Sequence, residues 1–316
     1  MKILRAIDQL ESLDGPTHLA IGVFDGLHIG HQAVIGRALE SAAQIGGSAV
    51  VVTFDPHPVR VLRPAKAPRL LTSTRHKLQL IEKMGVNAVL LLEFTLEFSR
   101  TTPEAFVQKL AQSSNHLGRV CVGQDWTFGA NRSGSTMLLN ELARKFHFEV
   151  VTVPPVLVGE RVVSSTLIRS AVESSDFVSA SKYLGREFTI LGTVNEGRQL
   201  GRRLGFPTAN LRAHNELFPP NGVYAAKAHF GESDYGGVVN IGVRPTIENE
   251  SGERLLEIHL FDFDEQIYGR DVEVEFLEYL RPEQKFSGIE ELKAQIQQDA
   301  TKARAIYEAK LKASVG

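Results

Sequence analysis

The stretch HLAIGVFDGLHIGH, residues 18–31, decides the fold of the first half of this chain. Its apolar, β-rich beginning passes through a glycine turn directly into the amphipathic stretch HQAVIGRALESAAQIG. A strand that leads through such a turn into a helix is typical of open α/β sheets, which bind ligands at the carboxyl ends of their strands. Because the N–H groups and the dipole of the helix N-terminus attract phosphate, the stretch predicts a phosphate site at this strand end.

Two histidines accompany this turn. His28 and His31 are three residues apart and therefore share one face of the first helical turn, while Gly26 and Gly30 let the backbone approach a ligand closely. Two imidazoles beside one phosphate suit attack on the α-phosphate of ATP, because preorganised donors stabilise the charge that builds up in the transition state. Two alternatives stay open on the residues alone. The histidines could cap a helix or fill a core, or they could bind zinc, for which the nearby sequence has no convincing third ligand.

The pattern of apolar and polar residues changes along the chain and predicts two domains. As far as about residue 155, short apolar runs alternate with amphipathic stretches, which predicts βαβ units and a parallel sheet with helices on both faces. Two short helices follow and stop at Gly185. Short alternating strands broken by Gly and Pro then predict a compact barrel or sandwich, closed by one helix at the end of the chain. We therefore expect domains at 1–185 and 186–316.

Bulk composition narrows the classes of function. The 316 residues, 43% of them apolar, suffice for two cores. A formal charge of −2 provides no field for nucleic acid or an anionic membrane, so we expect neither as a partner. The single Cys121 forms no intrachain disulfide, and no apolar run approaches membrane-spanning length. We expect a cytoplasmic protein with small-molecule substrates, either a monomer or a weak homo-oligomer.

A second phosphate-binding pattern occupies residues 197–211, GRQLGRRLGFPTANL. Its glycines at 197, 201 and 205 alternate with three arginines, which makes a basic loop rich in N–H groups that can cradle phosphates. It is not a Walker A loop, because no GKS or GKT follows. The sequence thus predicts a second nucleotide site in the C-terminal domain.

The stretch LLEIHLF at 255–261 supplies a candidate base for that second site. Strand alternation puts Glu257 and His259 on one face, opposite Leu256 and Ile258. At a nucleotide site, a carboxylate can orient a substrate hydroxyl and accept its proton during phosphoryl transfer. The alternative for Glu257 is a solvent-facing residue on an amphipathic strand.

Motifs of the first domain resemble a known superfamily. GVFDGLHIGH resembles the signature of the HxGH nucleotidyltransferases, which include class I aminoacyl-tRNA synthetases. No KMSKS-like loop is present, whereas SSTLIR at 164–169 resembles the (I/V)SSTxIR motif of bacterial FAD synthetases. TFDPHP at 53–58 resembles the family element TFxPHP, and VGQDWTFG at 122–129, with Arg132, resembles VGxDFxFGxxRxG. Trp126 replaces the usual Phe and keeps an aromatic surface.

Motifs of the second domain resemble riboflavin kinases. Residues 197–211 resemble the signature GxxxGRxLGFPTANL, and LLEIHLF resembles an ExHxFD-like strand of the same enzymes. The whole chain is therefore similar to the bifunctional bacterial riboflavin kinase/FAD synthetase family. That resemblance implies a Rossmann-like nucleotidyltransferase domain, followed by an antiparallel β-barrel kinase domain with a terminal helix. It also implies that ATP phosphorylates riboflavin to FMN and adenylylates FMN to FAD, with Mg²⁺ in both reactions.

The resemblance assigns roles to individual residues. Catalytic roles fall on His28, His31 and Glu257. Binding of ATP and FMN for adenylyl transfer falls on Gly22, Phe24, Asp25, Gly26, Gly30, Asp55, His57, Pro58, Asp125, Phe128, Arg132, Ser164, Ser165, Thr166 and Arg169. Binding of ATP and flavin in the kinase falls on Gly197, Gly201, Arg202, Leu204, Gly205, Pro207, Thr208, Asn210, Asn240 and Arg281, with Thr208 and Asn210 as magnesium ligands.

The residues present argue against two rival functions. Another nucleotidyltransferase or a synthetase would be favoured by a KMSKS-like loop or a helical anticodon-binding domain, and the sequence has neither. A non-catalytic flavin sensor would be expected to lose His28, His31, Asn210 or Glu257, and all four are present.

Overall fold

A computed structural model describes residues 1–195, 206–231, 233–244 and 253–315. The chain divides into two compact units, Met1–Arg69 with Thr74–Ser165, and Leu70–Ser73 with Thr166–Gly316. The change from the first unit to the second comes after Ser165, about twenty residues before the expected functional boundary at 185. The reason is that the two helices before Gly185 pack with the second unit. The functional boundary itself stays a prediction.

The first unit is an α/β unit. Its main strands are β1 (Lys2–Leu4), β2 (Thr17–Ile21), β3 (Ser48–Asp55), β4 (Ala88–Glu93), β5 (Leu117–Gly123) and β6 (Glu149–Val153), and a hairpin of β7 (Leu157–Val158) and β8 (Arg161–Val162) follows. Its helices are α1 (Ile29–Ile45), α2 (Pro58–Leu62), α3 (Thr74–Lys83), α4 (Pro103–Gln112) and α5 (Thr136–Phe146). Strands and helices alternate from β2 to β6, as the sequence pattern predicts.

Strands β1 to β6 form one parallel sheet in the order β1-β4-β3-β2-β5-β6. Alternate residues of each strand enter separate cores, so that Val50 and Val52 pack with α4 and α5 while Ala49 and Val51 pack with α1 and α3. The predicted parallel sheet with helices on both faces is therefore confirmed. The order also reverses direction at β2, which makes the β2/β5 junction the topological switch point where such sheets bind ligands.

The second unit combines helices with a β-barrel. It contains most of α6 (Ser165–Glu173), α7 (Phe177–Leu184), β9 (Thr189–Asn195), β10 (Ala209–Ala213), β11 (Gly222–Phe230), β12 (Ser233–Arg244), β13 (Glu253–Leu260), β14 (Asp271–Arg281) and α8 (Ile289–Val315). Six of its described strands close into an antiparallel barrel in the order β10-β13-β12-β11-β14-β9. Of the two architectures left open by the strand pattern, the barrel is the one formed.

Two helices pack against this barrel. Phe177 of α7 packs its ring on Phe188 and Phe276, with centroids 6.4 Å and 5.6 Å away. Ala300 and Ala303 of α8 share a core cluster with Ala225 and Phe261. These apolar contacts explain why the segment before Gly185 and the terminal helix both belong to the barrel unit.

Candidate active sites

The first site begins at the turn between β2 and α1. His28 is the N-cap of α1, and its Nδ1 accepts the backbone N–H of His31 at 3.3 Å. Because Nδ1 is an acceptor, the neutral form of His28 carries its proton on Nε2. The capping alternative is confirmed for His28, and its predicted catalytic role stays a prediction.

His31 lies against His28. The two rings stack with centroids 3.5 Å apart, and the edge of Phe24 contacts His31 at 5.3 Å. Burial, with smaller effects from His28 and Lys77, lowers the pKa of His31 well below its usual 6.5. His31 is consequently a neutral imidazole at neutral pH, and any hydrogen bond that it donates comes from a neutral N–H.

The backbone of the turn is constrained. Phe24, Gly26 and Leu27 all have positive φ, at 53°, 78° and 45°. A Cβ on Gly30 would approach the His28 ring to 3.2 Å, so glycine leaves room for that imidazole at the start of α1. Gly22 closes β2 by donating its N–H to Val52 at 3.1 Å. Asp25 lies in the turn between Gly22 and Gly30 and is buried, with 5% of its surface exposed.

Two further loops leave the same edge of the sheet, because the strands are parallel. After β3, Asp55 is half-buried, and the Nδ1 of His57 accepts the N–H of Val59 at 3.2 Å to cap α2, which begins at Pro58. After β5, Asp125 and Arg132 are exposed. The sheet topology thus brings the TFDPHP and VGQDWTFG loops to the edge that carries the histidines.

Aromatic side chains line part of this edge. The rings of Trp126 and Phe128 stack with centroids 4.4 Å apart, so the Trp replacement keeps an aromatic surface as expected. Phe54, Phe94 and Phe98 contact one another at centroid distances of 5.7 to 6.0 Å, and all three are partly exposed. A partly exposed aromatic wall beside a phosphate-binding turn can hold a planar ring.

The SST motif joins the histidine turn through one of its serines. The hydroxyl of Ser165 donates to the backbone carbonyl of Asp25 at 3.0 Å, while Ser164 is half-buried just before α6. Thr166 and Arg169 lie on α6 in the part of the chain that divides with the barrel. Their predicted contacts with ATP stay predictions.

Sequence reasoning missed Lys77, a buried lysine beneath this edge. Its ammonium group is 3.1 Å from the hydroxyl of Thr53 and 3.2 Å from the carbonyl oxygen of Val23. Lys77 shares the buried face of α3 with Leu80 and Ile81. A lysine on the apolar stripe of an amphipathic helix is the signal that could have revealed it.

The second site is a polar row across three barrel strands. Glu257 of β13 pairs directly with Asn210 of β10 on one side and with Asn240 of β12 on the other. Leu256 and Ile258 are each 1% exposed inside the barrel, which confirms that Glu257 and His259 share the outer face. Directly paired side chains lie about 5 Å apart at Cβ, so the candidate base and both amides form one cluster.

The segment before β10 approaches the same outer face. The Nδ1 of His259 donates to the carbonyl oxygen of Pro207 at 2.9 Å, and Thr208 and Asn210 follow within three residues. The sequence pattern predicts that the PTANL run is part of a phosphate-binding loop. In the structure, Ala209 begins β10, because this segment pairs with β9 and β13 and closes the barrel. Five predicted site residues lie outside the described part of the chain: Gly197, Gly201, Arg202, Leu204 and Gly205.

The donor set near β10 fits magnesium held mainly by a nucleotide. Thr208 and Asn210 offer a hydroxyl and an amide oxygen, which are the hard ligands that Mg²⁺ prefers. Across the described ranges, no group of three or more His, Cys, Asp or Glu side chains could hold a metal. The residues therefore suit a magnesium ion that keeps phosphate and water as most of its ligands.

A cavity of about 330 Å³ opens between the barrel and α8. Phe206, His259 and Phe261 line its barrel side, and Arg304 lies on its helix side. The Arg304 guanidinium stacks over Phe261 at 4.6 Å and pairs with Asp262 at 2.6 Å. This size and aromatic lining suit a planar heterocycle.

Arg281 is engaged in an ion pair. Its guanidinium contacts both carboxylate oxygens of Asp299 on α8 at 2.7 to 3.0 Å, with side-chain exposures of 15% and 8%. The pair ties β14 to the helix that lines the cavity. The predicted contact of Arg281 with ATP or flavin stays a prediction.

Comparisons with known proteins give consistent results. The sequence model of FAD synthetases matches residues 10–167, and that of riboflavin kinases matches residues 184–307. The chain is 34% identical to a bifunctional riboflavin kinase/FMN adenylyltransferase of Haemophilus influenzae, over 97% of this chain and 99% of the relative. It is 35% identical to the protein of the same description in Escherichia coli K12, over 97% and 98%.

One solved structure has a different description. A crystal structure described as a macrolide-efflux protein from Streptococcus pneumoniae matches with a TM-score of 0.80 and 28% identity, over 95% of this chain and 97% of that one. Within the described ranges, no helix combines the length and hydrophobicity that crossing a membrane requires.

Proposed function

The chain belongs to the bifunctional riboflavin kinase/FMN adenylyltransferase family, and from this premise we propose how its residues divide the two reactions. It phosphorylates riboflavin to FMN with ATP, and it transfers the adenylyl group of ATP to FMN to give FAD. The observation that supports the division is that the histidine turn lies at a parallel-sheet edge of one unit, whereas Glu257, Asn210 and Asn240 lie on a barrel face of the other. We assign adenylyl transfer to residues 1–185 and the kinase reaction to residues 186–316.

In adenylyl transfer, a phosphate oxygen of FMN attacks the α-phosphorus of ATP and pyrophosphate leaves. The Nε2–H of His28, the neutral imidazole of His31 and the N-terminus of α1 donate to the oxygens on which charge builds up. These donors are preorganised because the cap and the ring stack hold both imidazoles in place. Ser164, Ser165, Thr166 and Arg169 hold the departing β- and γ-phosphates.

We assign the flavin of this reaction to the aromatic wall. The isoalloxazine ring is planar and apolar on its faces, so the partly exposed Phe54, Phe94 and Phe98 offer a complementary surface. Asp55, His57 and Pro58 follow Phe54 on the same loop and bring its polar groups close to the ring. Asp125, Phe128 and Arg132 of the neighbouring loop complete the binding residues.

In the kinase reaction, Glu257 accepts the proton of the riboflavin primary hydroxyl while that oxygen attacks the γ-phosphorus of ATP. Thr208 and Asn210 hold Mg²⁺, which neutralises phosphate charge when it is bound. Asn240, the other cross-strand neighbour of Glu257, orients the hydroxyl or the ribityl chain. We assign phosphate binding to the glycine-rich sequence 197–205 with Arg202, which lies outside the described residues. We assign a ring of one substrate to the cavity beside His259.

The remaining assignments rest on the family and on composition. Family membership implies riboflavin, FMN and ATP as substrates, and we assign Mg²⁺ to both reactions. A charge of −2 and one cysteine favour a cytoplasmic enzyme without a nucleic-acid partner, either a monomer or a weak homo-oligomer.

Two ATP analogues test the division of chemistry. In α,β-methylene ATP the α–β bridge cannot be cleaved, so we expect riboflavin to become FMN and no FAD to form from FMN. In β,γ-methylene ATP the γ-phosphoryl cannot be transferred, so we expect FMN to become FAD and riboflavin to stay unphosphorylated. Chromatography of the flavins, with ATP as the positive control, measures both reactions. Formation of FAD with the first analogue would contradict attack on the α-phosphate.

A further inference from the structure

Lys77 is an ionisable side chain on the buried, apolar face of α3, where charged groups are rare. It lies on α3, is only 6% exposed, and shares the helix face that packs Leu80 and Ile81 against the sheet. A lysine is seldom buried unless its ammonium group is paired. Its partners therefore indicate what it does.

All three protons of the ammonium group have an acceptor. The distances from Nζ are 3.2 Å to the carbonyl oxygen of Val23, 3.1 Å to the hydroxyl of Thr53 and 3.5 Å to the carbonyl oxygen of Phe54. Thr53 in turn donates its hydroxyl proton to Val23 at 3.0 Å. Lys77 thus connects the chain just after β2 with the end of β3.

These two chain segments lead into the two loops that carry the adenylyl-transfer residues. The chain from Val23 continues through Asp25 to His28, and the chain from Phe54 continues through Asp55 to His57. β2 and β3 pair as far as Ile21 and Val52, so the loops beyond them have no strand pairing with each other. The Lys77 bonds supply a connection just beyond the last pair.

The surroundings of Lys77 balance its charge. The carboxylates of Asp25 and Asp55 favour the charged form, while His31 lies near enough for the lysine charge to help keep that imidazole neutral. Burial nevertheless lowers the pKa of Lys77 to about 8. The group is therefore mostly charged at neutral pH and loses its proton in a mildly alkaline range.

We propose that Lys77 is a positioning residue for adenylyl transfer, which fastens the histidine turn to the TFDPHP loop from beneath and adds one positive charge to the floor of the phosphate site. This inference rests on the proposed assignment of adenylyl transfer to residues 1–185. It concerns a residue outside the HxGH, TFDPHP, VGQDWTFG and SSTLIR motifs.

The test compares Lys77→Met, which removes the charge at similar length, with Lys77→Arg and with Lys83→Met, an exposed lysine at the end of α3. We expect Lys77→Met to lower kcat for FAD formation from FMN about 100-fold, the cost of a small misplacement of reacting groups. The kinase rate in the same preparation and both rates of Lys83→Met should stay at wild-type values. Wild-type adenylyl transfer by Lys77→Met, or equal loss of both reactions, would overturn the inference.

A pH profile separates a positioning charge from simple support of the fold. Above pH 8 the wild-type adenylyl-transfer rate should fall as Lys77 loses its proton, while Lys77→Arg, whose guanidinium stays charged, should lack that fall. If Lys77→Met does not fold, this pair of profiles decides the question, and identical profiles would overturn the inference. If wild-type protein makes no FAD from FMN at any pH, the proposed function fails instead.

Discussion

Replacing Glu257 with glutamine should remove the kinase reaction and leave the fold and adenylyl transfer intact. Glutamine has the same shape and keeps one acceptor oxygen beside Asn210 and Asn240, the cross-strand neighbours of Glu257. The side chain lies on the outer face of the barrel, whereas Leu256 and Ile258 on either side fill the interior. The substitution should therefore leave the barrel folded and remove only the ability to accept a proton.

The expected size of the effect follows from that loss. A positioned general base contributes about 100- to 10,000-fold to a rate, which corresponds to about 2.7 to 5.4 kcal/mol of transition-state stabilisation. Glu257 stands between two neutral amides, and no second carboxylate pairs with it in the cross-strand row that could take over its role. We therefore expect kcat for riboflavin phosphorylation to fall by at least about 100-fold.

Two parallel assays measure this prediction. Purified Glu257→Gln is incubated with riboflavin, ATP and Mg²⁺, and separately with FMN, ATP and Mg²⁺, and the flavins are separated by chromatography at intervals. Glu278→Gln, an exposed glutamate of β14 in the same barrel, is the matched control. We expect FMN formation to be lost only in Glu257→Gln and FAD formation from supplied FMN to persist in both. A near-wild-type kinase rate in Glu257→Gln would refute its role as the base.

Three further predictions concern other residues. Changing His28 and His31 together to alanine should lower the rate of FAD formation by about 1,000-fold or more, because each oxyanion donor contributes about 100- to 1,000-fold. FMN formation should persist. Equal loss of both activities in a folded variant would contradict the assignment of the two reactions to separate parts of the chain. Arg281→Met leaves Asp299 buried without its cation and should destabilise the barrel by about 3 kcal/mol. Arg304→Met breaks an exposed pair and should have a much smaller effect on stability; denaturant unfolding compares the two variants. The pKa of His31 is below 6.5 in the folded chain, so the unfolded chain binds the proton first and the free energy of unfolding should fall as pH drops below 6.5; an unchanged slope in His31→Asn would show that His31 does not cause it.

Much of the fold was predictable because its elements have strong local periodicity. The alternation of apolar runs and amphipathic stretches fixed the parallel sheet, and Gly185 ends α7 with φ of 68° as a helix stop. Other elements depend on distant partners. The three-residue β1 depends on its pairing with β4. β10 begins within a Pro-Thr-Ala-Asn sequence that is typical of a loop, and it forms a strand because it pairs with β9 and β13.

The site residues were predictable where they belong to short sequence motifs. His28 lies at the helix N-terminus, as the HxGH motif predicts. Glu257 and His259 share a strand face opposite the buried Leu256 and Ile258, as the alternation predicts. The motifs could not reveal Lys77, because its significance lies in acceptors contributed by residues 23, 53 and 54 of other segments. They also could not show that the guanidinium of Arg281 is bound by Asp299, since eighteen residues separate the two in sequence.

The central claim, that two separate sites in this polypeptide each bind a nucleotide, is tested most directly by the stoichiometry of ATP-analogue binding. Titration calorimetry of wild-type protein with β,γ-methylene ATP and Mg²⁺ should show two nucleotides bound per chain, and a Thr208→Ala, Asn210→Ala variant should retain one. One nucleotide per wild-type chain at saturation would contradict the account.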